Sequence, residues 1–195
     1  RKGKAKPALL EPLRQFLAQG PEDLPPNIEI VTHYHWEADD GLVMKGEIHG
    51  HTCVVKSDDK DLNMTRAPLF NMQTGQVDYL RDGDRYGWVK DAYTDSGILK
   101  ATGHGTRFFW TQMLMGDTAD NIRGLDKWEG KNIGIAGALD VMQGIECENE
   151  AANRVLWAYA KIGQDALAEA ELLWLRRDEQ DSAARYLLDL DLDAG

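Results

Sequence analysis

The sequence predicts an α/β fold with a parallel sheet, followed by a helical lobe. Three observations predict it. Short apolar runs alternate with helical spacings between residues 28 and 64. Turn signals cluster between 74 and 83. From about residue 111 onward, nearly every segment carries helical periodicity.

The elements follow in order. "RKGKAKP" carries Arg1, Lys2, Lys4 and Lys6 and reads as a basic arm. "ALLEPLRQFLAQG" is apolar at 9, 10, 13, 16 and 17, a helical spacing closed by Gly20, with Pro12 early enough for a first turn. "PEDLPP" is a loop. "IEIVT" (28–32) is expected as a short strand, with a helix over "ADDGLVMKGEIHG". "TCVVKS" (52–57) is expected as a second, buried strand, and "DDKDLNM" starts a helix or turn. Strand, helix, strand, helix points to parallel pairing, with ligands at the carboxyl ends of the strands. Thr74-Gly75 and Asp82-Gly83 mark a small hairpin or edge extension. "GHGTRFFWTQMLMG" reads as a helix and "DTADNIRGLDKWEGKNIG" as a loop. "IAGALDVMQ", "ENEAANRVLWAYAKIG" and "QDALAEAELLWLRRDEQ" read as further helices, and "LLDLDLDAG" as an acidic tail.

Composition narrows the function. With 43% hydrophobic residues and six Trp, six Tyr and four Phe, the chain can bury a real core. Phe108, Phe109, Trp110 and Met113 are expected to pack the junction of the two lobes, and the helically spaced Trp157, Tyr159, Trp174 and Tyr186 to lie in the core. A net charge of −11 argues against nucleic-acid binding through the overall field, so any such contact needs local basic patches or bound cations. Cys53 and Cys147 are far apart and read as reduced, buried thiols of a cytoplasmic protein. No apolar run approaches the roughly 18 residues of a membrane span, and no signal peptide is visible. His33 and His35 fall short of a zinc ligand set, and His104, between two glycines, reads as a turn marker.

The chemistry lies in the acids. Glu37, Asp39 and Asp40 stand together; so do Asp59 and Asp61, and Asp117 and Asp120. Each group follows a predicted strand or leads a predicted helix. Spacings of two or three let paired carboxylates aim at one point. Hard divalent cations need such oxygens, and a pair of ions can clamp both the attacking and the leaving oxygen of a phosphodiester. The plainer reading is capping: Asp and Glu are favoured at helix starts for their hydrogen bonds and charge alone.

"EADDG", "SDDKDL" and "MGDTADNIRGL", in that order, resemble the motifs of the 5′-nuclease family. That family includes flap endonucleases, phage 5′-to-3′ exonucleases and the 5′-nuclease domains of bacterial DNA polymerase I. "GD-x-x-DNI-x-G" is its most specific motif, and the phage-type members are the most similar. The resemblance implies a partial PIN-like nuclease core over 1–110, with an arch remnant (1–20) and a hairpin insertion (68–100). A helix–three-turn–helix DNA-binding lobe over 111–195 would follow. It implies two Mg²⁺ or Mn²⁺ ions held by Glu37, Asp39, Asp59, Asp61 and Asp117, with Asp40 and Asp120 beside them. Water would be activated at one ion and the leaving 3′ oxygen stabilised at the other. Asp59 is the expected direct ligand. A K⁺ ion in the helix–three-turn–helix, and the cations Arg1, Lys2, Lys4, Lys6, Arg123, Lys127 and Lys131, would hold DNA phosphates. The implied partner is DNA with a 5′ end or 5′ flap, cut by a monomeric phage-encoded or bacterial enzyme.

The chain departs from the family in two places. On this resemblance the given sequence would start inside the arch region, without counterparts to the family's further upstream acids: either upstream sequence is missing, or the product lacks part of its metal site and central sheet. Lys127 to Asn132 form an apparent insertion, and Ala136 or Gly137 stands where the family has a Lys. A relative that binds branched DNA without cutting it is the alternative. Trp128, near the loop tip, either stacks on a base or packs.

Overall fold

The computed structural model describes residues 7–21 and 24–192, so the arm residues Arg1, Lys2, Lys4 and Lys6 lie outside the described residues. The chain divides into two compact units, Arg1–Ala38 and Asp39–Gly195. In the first, helix α1 spans Leu10–Ala18 with Pro12 in its opening turn, and Gly20, at φ +64°, ends it as the periodicity predicts. The expected strand at 28–32 is not formed among the described residues. A strand exists only by pairing. Here the amide of Ile28 donates to Pro25 O (2.9 Å), and Ile28 and Val31 are about half exposed.

Helix α2, Ala38–His49, buries Gly41, Val43 and Gly46. A Cβ at Gly46 would come within 2.7 Å of Ala67 Cβ, so only glycine permits this approach. Val43, Val55, Leu62 and Ala67 form a small core of their own. The segment expected as a second strand contributes one pairing, an isolated parallel bridge from Val55 to Leu69. The parallel sheet is therefore corrected. The described strands make two antiparallel pairs: β1 (Leu69–Phe70) with β2 (Val77–Asp78), and β3 (Trp88–Tyr93) with β4 (Leu99–His104). Apolar runs of four or five residues identify neither a partner nor a direction. The Thr74-Gly75 turn does close β1–β2, with Gly75 at φ +69°. Asp82-Gly83 instead lies in the link between hairpins, and the β3–β4 turn is Thr94 to Ile98, with Gly97 at φ +77°.

Helix α3, Thr106–Met115, is the centre of the main core, with Phe108, Phe109, Trp110, Met113 and Leu114 fully buried. Around it pack α4 (Ile135–Val141), α5 (Glu148–Ile162) and α6 (Ala166–Leu173); α7 (Ala183–Leu188) adds Ala183 and Tyr186 to the same core. Trp110 Nε1 donates to Tyr186 Oη (3.1 Å), and Tyr159 Oη donates to Met113 O (2.5 Å). Trp174 stacks on Tyr186 at 4.3 Å. The domain boundary expected between 110 and 111 falls inside α3, and one core runs from Met64 and Tyr86 to Tyr186 across it. Trp157 departs from expectation. It is 56% exposed on α5, edge-on to Trp128 and under the Lys161 ammonium. Cys53 is half-buried and Cys147 exposed, both free thiols, so the burial expected of Cys147 does not hold.

Asp181 locks the chain after α6. It accepts from Trp174 Nε1 (3.0 Å) and from Arg177 N, Nε and Nη2 (2.7–2.9 Å). Burial alone would push its carboxyl up. The bonds from Arg177 and Trp174 outweigh burial and hold it below the usual value.

His104 is not a turn marker. It ends β4, fully buried, with Nε2 2.8 Å from Ala67 O. A carbonyl only accepts, so Nε2 carries the proton, and buried Nδ1 has no partner among the described residues. Burial lowers its pKa, because protonation would place a charge on Nδ1 with nothing to receive it. The unfolded chain then binds this proton before the folded one does. The stability is fully present above about pH 6.5 and falls as pH drops below that towards the lowered folded value, by at most about 1.4 kcal/mol per pH unit. Urea midpoints of wild type and His104→Phe at pH 7.5 and 5.5 check this. The variant should lose part of the pH dependence, and identical dependence in both would refute the assignment.

Candidate metal centre

Two segments far apart in sequence build the site. The first is the turn after Ser57. Ser57 Oγ accepts from Asp59 N (3.1 Å), and Asp59 Oδ1 accepts from Asp61 N (3.1 Å), capping a 3-10 helix over Lys60–Met64. Leu62 and Met64 anchor that turn in the two cores, at 1% and 5% exposure, so Asp61 is directed by buried neighbours. Its Oδ1 accepts from Gln112 Nε2 of α3 (2.5 Å).

The second segment is the loop after α3. Gly116, at φ +67°, turns the chain where any Cβ would meet Arg123 backbone at 2.4 Å. Asp117 and Ile122 then exchange backbone hydrogen bonds, both 2.8 Å, closing the loop "DTADNI", with Asn121 at φ +62°. Asp117 Oδ1 accepts from Ala119 N (2.8 Å), which fixes the carboxylate inside the loop. Asp117 is 3% exposed, whereas Asp120 is exposed at the loop's other end.

Together these turns place one oxygen each of Asp61, Asp117 and Asp120 within 4.8 Å of one another. Lys60 enters the same group: its Nζ pairs with Asp117 Oδ2 and lies 3.2 Å from Asp61 Oδ1. Three carboxylates and one ammonium leave a formal charge of −2. The donors are all hard oxygens, the kind Mg²⁺ and Mn²⁺ select. Oxygens on opposite sides of one magnesium stand about 4.2 Å apart, so a small contraction of this group would suit a single ion. Gln112, fully buried and bonded to Asp61 through Nε2, carries an Oε1 with no hydrogen-bond partner among the described residues. The donor set therefore fits a divalent cation.

The other expected ligands stand elsewhere. Asp59 is turned to its own backbone as a cap. Asp39 and Asp40 open α2, where Asp40 Oδ1 accepts from Arg176 N (2.9 Å). Neither these two nor Asp59 belongs to the group within 4.8 Å. Glu37 lies in the first unit. Arg123 is exposed and pairs with Asp126 at 3.6 Å. Lys127 and Lys131 are exposed on the excursion before α4, where Trp128 and Lys131 exchange backbone bonds. That backbone pair makes the insertion a tight turn, with Glu129 at φ +49° and Gly130 at φ +80° at its tip. Trp128 is half-buried against Trp157, at a ring separation of 6.4 Å.

Two residues of the centre, Lys60 and Gln112, are not among the sequence-derived candidates. Lys60 stands between the two acids of "DKD", and Gln112 is a polar residue inside the apolar run "FFWTQMLM". A polar side chain on the buried face of a helix is the signal that marks it. Among the described residues no helix is long and apolar enough to cross a membrane. Compared with known proteins, the chain matches no family model, no curated protein and no solved structure.

Proposed function

We propose that the protein is a divalent-metal-dependent 5′ nuclease that hydrolyses DNA phosphodiester bonds, acting on a 5′ end or a 5′ flap. One observation carries the reading: the second and third acidic motifs, far apart in sequence, contribute Asp61, Asp117 and Asp120 to one oxygen-only cluster. Acids used only as caps have no reason to converge across the fold, and Asp59 shows what a cap does instead.

In this reading Asp61, Asp117 and Asp120 hold Mg²⁺ or Mn²⁺, with Asp39 and Asp40 as the family-implied remainder of a two-ion set. A bound divalent ion supplies an acidified water and stabilises the leaving 3′ oxygen. The chain's own residues do the positioning. Gln112 orients Asp61, the Ala119 amide orients Asp117, and the Gly116 turn sets the loop. The α3–loop–α4 segment, with Arg123, Lys127 and Lys131, is the proposed DNA grip, and a K⁺ ion there belongs to the same reading. Local cations of this kind can bind phosphates despite the net charge of −11.

A binding-only role is the second reading, and Lys60 favours it, because an ammonium already neutralises part of the cluster. A 5′-labelled flap substrate separates the two on a gel. Cleavage with Mg²⁺ and none with EDTA supports the nuclease; a shifted, uncut substrate under both conditions leaves only the binder.

A further inference from the structure

We infer that Lys60 is an internal counter-cation of the acidic centre, and that a divalent ion enters by displacing its ammonium. The inference rests on the metal-centre reading above and deepens it by naming what regulates ion occupancy.

The geometry sets the two cations in competition. Asp117 is 3% exposed, and its Oδ2 is the atom that Lys60 Nζ engages, while Oδ1 is already committed to the Ala119 amide. Oδ2 is thus the Asp117 oxygen with no backbone partner, and a metal ion binding there meets the ammonium of Lys60. Lys60 also reaches Asp61, whose Oδ1 receives both its ammonium and Gln112 Nε2. A buried carboxylate left without a cation is strongly unfavourable, so one partner replaces the other.

Lys60 is able to leave. Its side chain is 42% exposed on a flexible four-carbon stem, and its backbone stays fixed by the Asp59 cap whichever way the ammonium points. Gln112 gives a second, independent sign of a ligand. Its amide is fully buried and bonded to Asp61, yet its Oε1 accepts from no group among the described residues. Water carried by a hydrated cation is a donor of the kind this oxygen lacks, and magnesium-sized ions usually keep several waters. Competition by an attached cation lowers apparent metal affinity by the fraction of time the ammonium is seated.

The test is Mn²⁺ binding without DNA, by calorimetry on the full chain, with melting temperature in EDTA and in Mn²⁺ as a second readout. Lys60→Met keeps the stem and removes the charge. Lys60→Gln is the alternative should the Met variant fold poorly. The expected result is an Mn²⁺ dissociation constant at least about tenfold lower than wild type, a melting temperature that falls in EDTA, and its recovery on adding Mn²⁺. Binding by the variant alone, with none by wild type, supports the inference as well. Equal Mn²⁺ affinity in wild type and variants overturns it while leaving the metal centre intact. No Mn²⁺ binding by any folded form overturns the metal centre and this inference together.

Discussion

Asp117→Asn is expected to lower Mg²⁺-dependent cleavage of 5′-flap DNA by about a thousandfold or more, which corresponds to roughly 4 kcal/mol of transition-state stabilisation. The substitution keeps volume and shape. Asn Oδ1 can still accept from the Ala119 amide, so the loop closed by Asp117 and Ile122 should persist. What disappears is the negative charge at the most buried of the three clustered acids. DNA binding in EDTA should change little, because the exposed cations Arg123, Lys127 and Lys131 are untouched. Asp59→Asn is the internal contrast. As a cap it should cost about 0.5–2 kcal/mol of stability and far less activity than Asp117→Asn. Single-turnover cleavage on a gel decides the matter: wild-type cutting by Asp117→Asn would remove this acid from the metal centre.

Phe109→Ala should lower unfolding stability by about 3–5 kcal/mol. Phe109 is fully buried at the heart of the core, edge-on to Trp110 (5.0 Å), Trp174 (4.9 Å) and Tyr186 (6.0 Å). Those rings come from α3, from the turn after α6 and from α7, so the cavity would open where three segments meet. Edge-to-face pairs add about 0.5–1.5 kcal/mol each beyond area burial, which places the loss towards the upper end. Trp157→Ala provides the comparison. That ring is 56% exposed and should cost less than about 1 kcal/mol. Urea midpoints read both, and comparable losses at the two positions would contradict the division between core and surface.

Gly46, Gly116 and the Asp59 cap show how the local and the distant combine. Gly116 and Asp59 are recognisable as a glycine and a cap-forming acid in plausible turns, and Gly46 as a glycine within a helix. What each does depends on what lies opposite: Ala67 for Gly46, the Arg123 backbone for Gly116, the Asp61 amide for Asp59. The acids of "SDDKDL" make the same point. Asp59 and Asp61 look alike in sequence, and only the seating of Leu62 and Met64 turns one to its own backbone and the other towards α3.

Local sequence is enough to specify the helices α1 to α6, the Thr74-Gly75 turn, the aromatic character of α3 and which segments carry the acids. These depend on periodicity, capping and turn preference, which act over a few neighbouring residues. The antiparallel pairing of the described strands, the unpaired "IEIVT", the burial of His104, the exposure of Trp157 and the meeting of Lys60 and Gln112 with Asp61, Asp117 and Asp120 arise from packing across the fold. Pairing, burial and convergence depend on which surfaces meet across the fold, and that is settled by the packing of segments far apart in the chain.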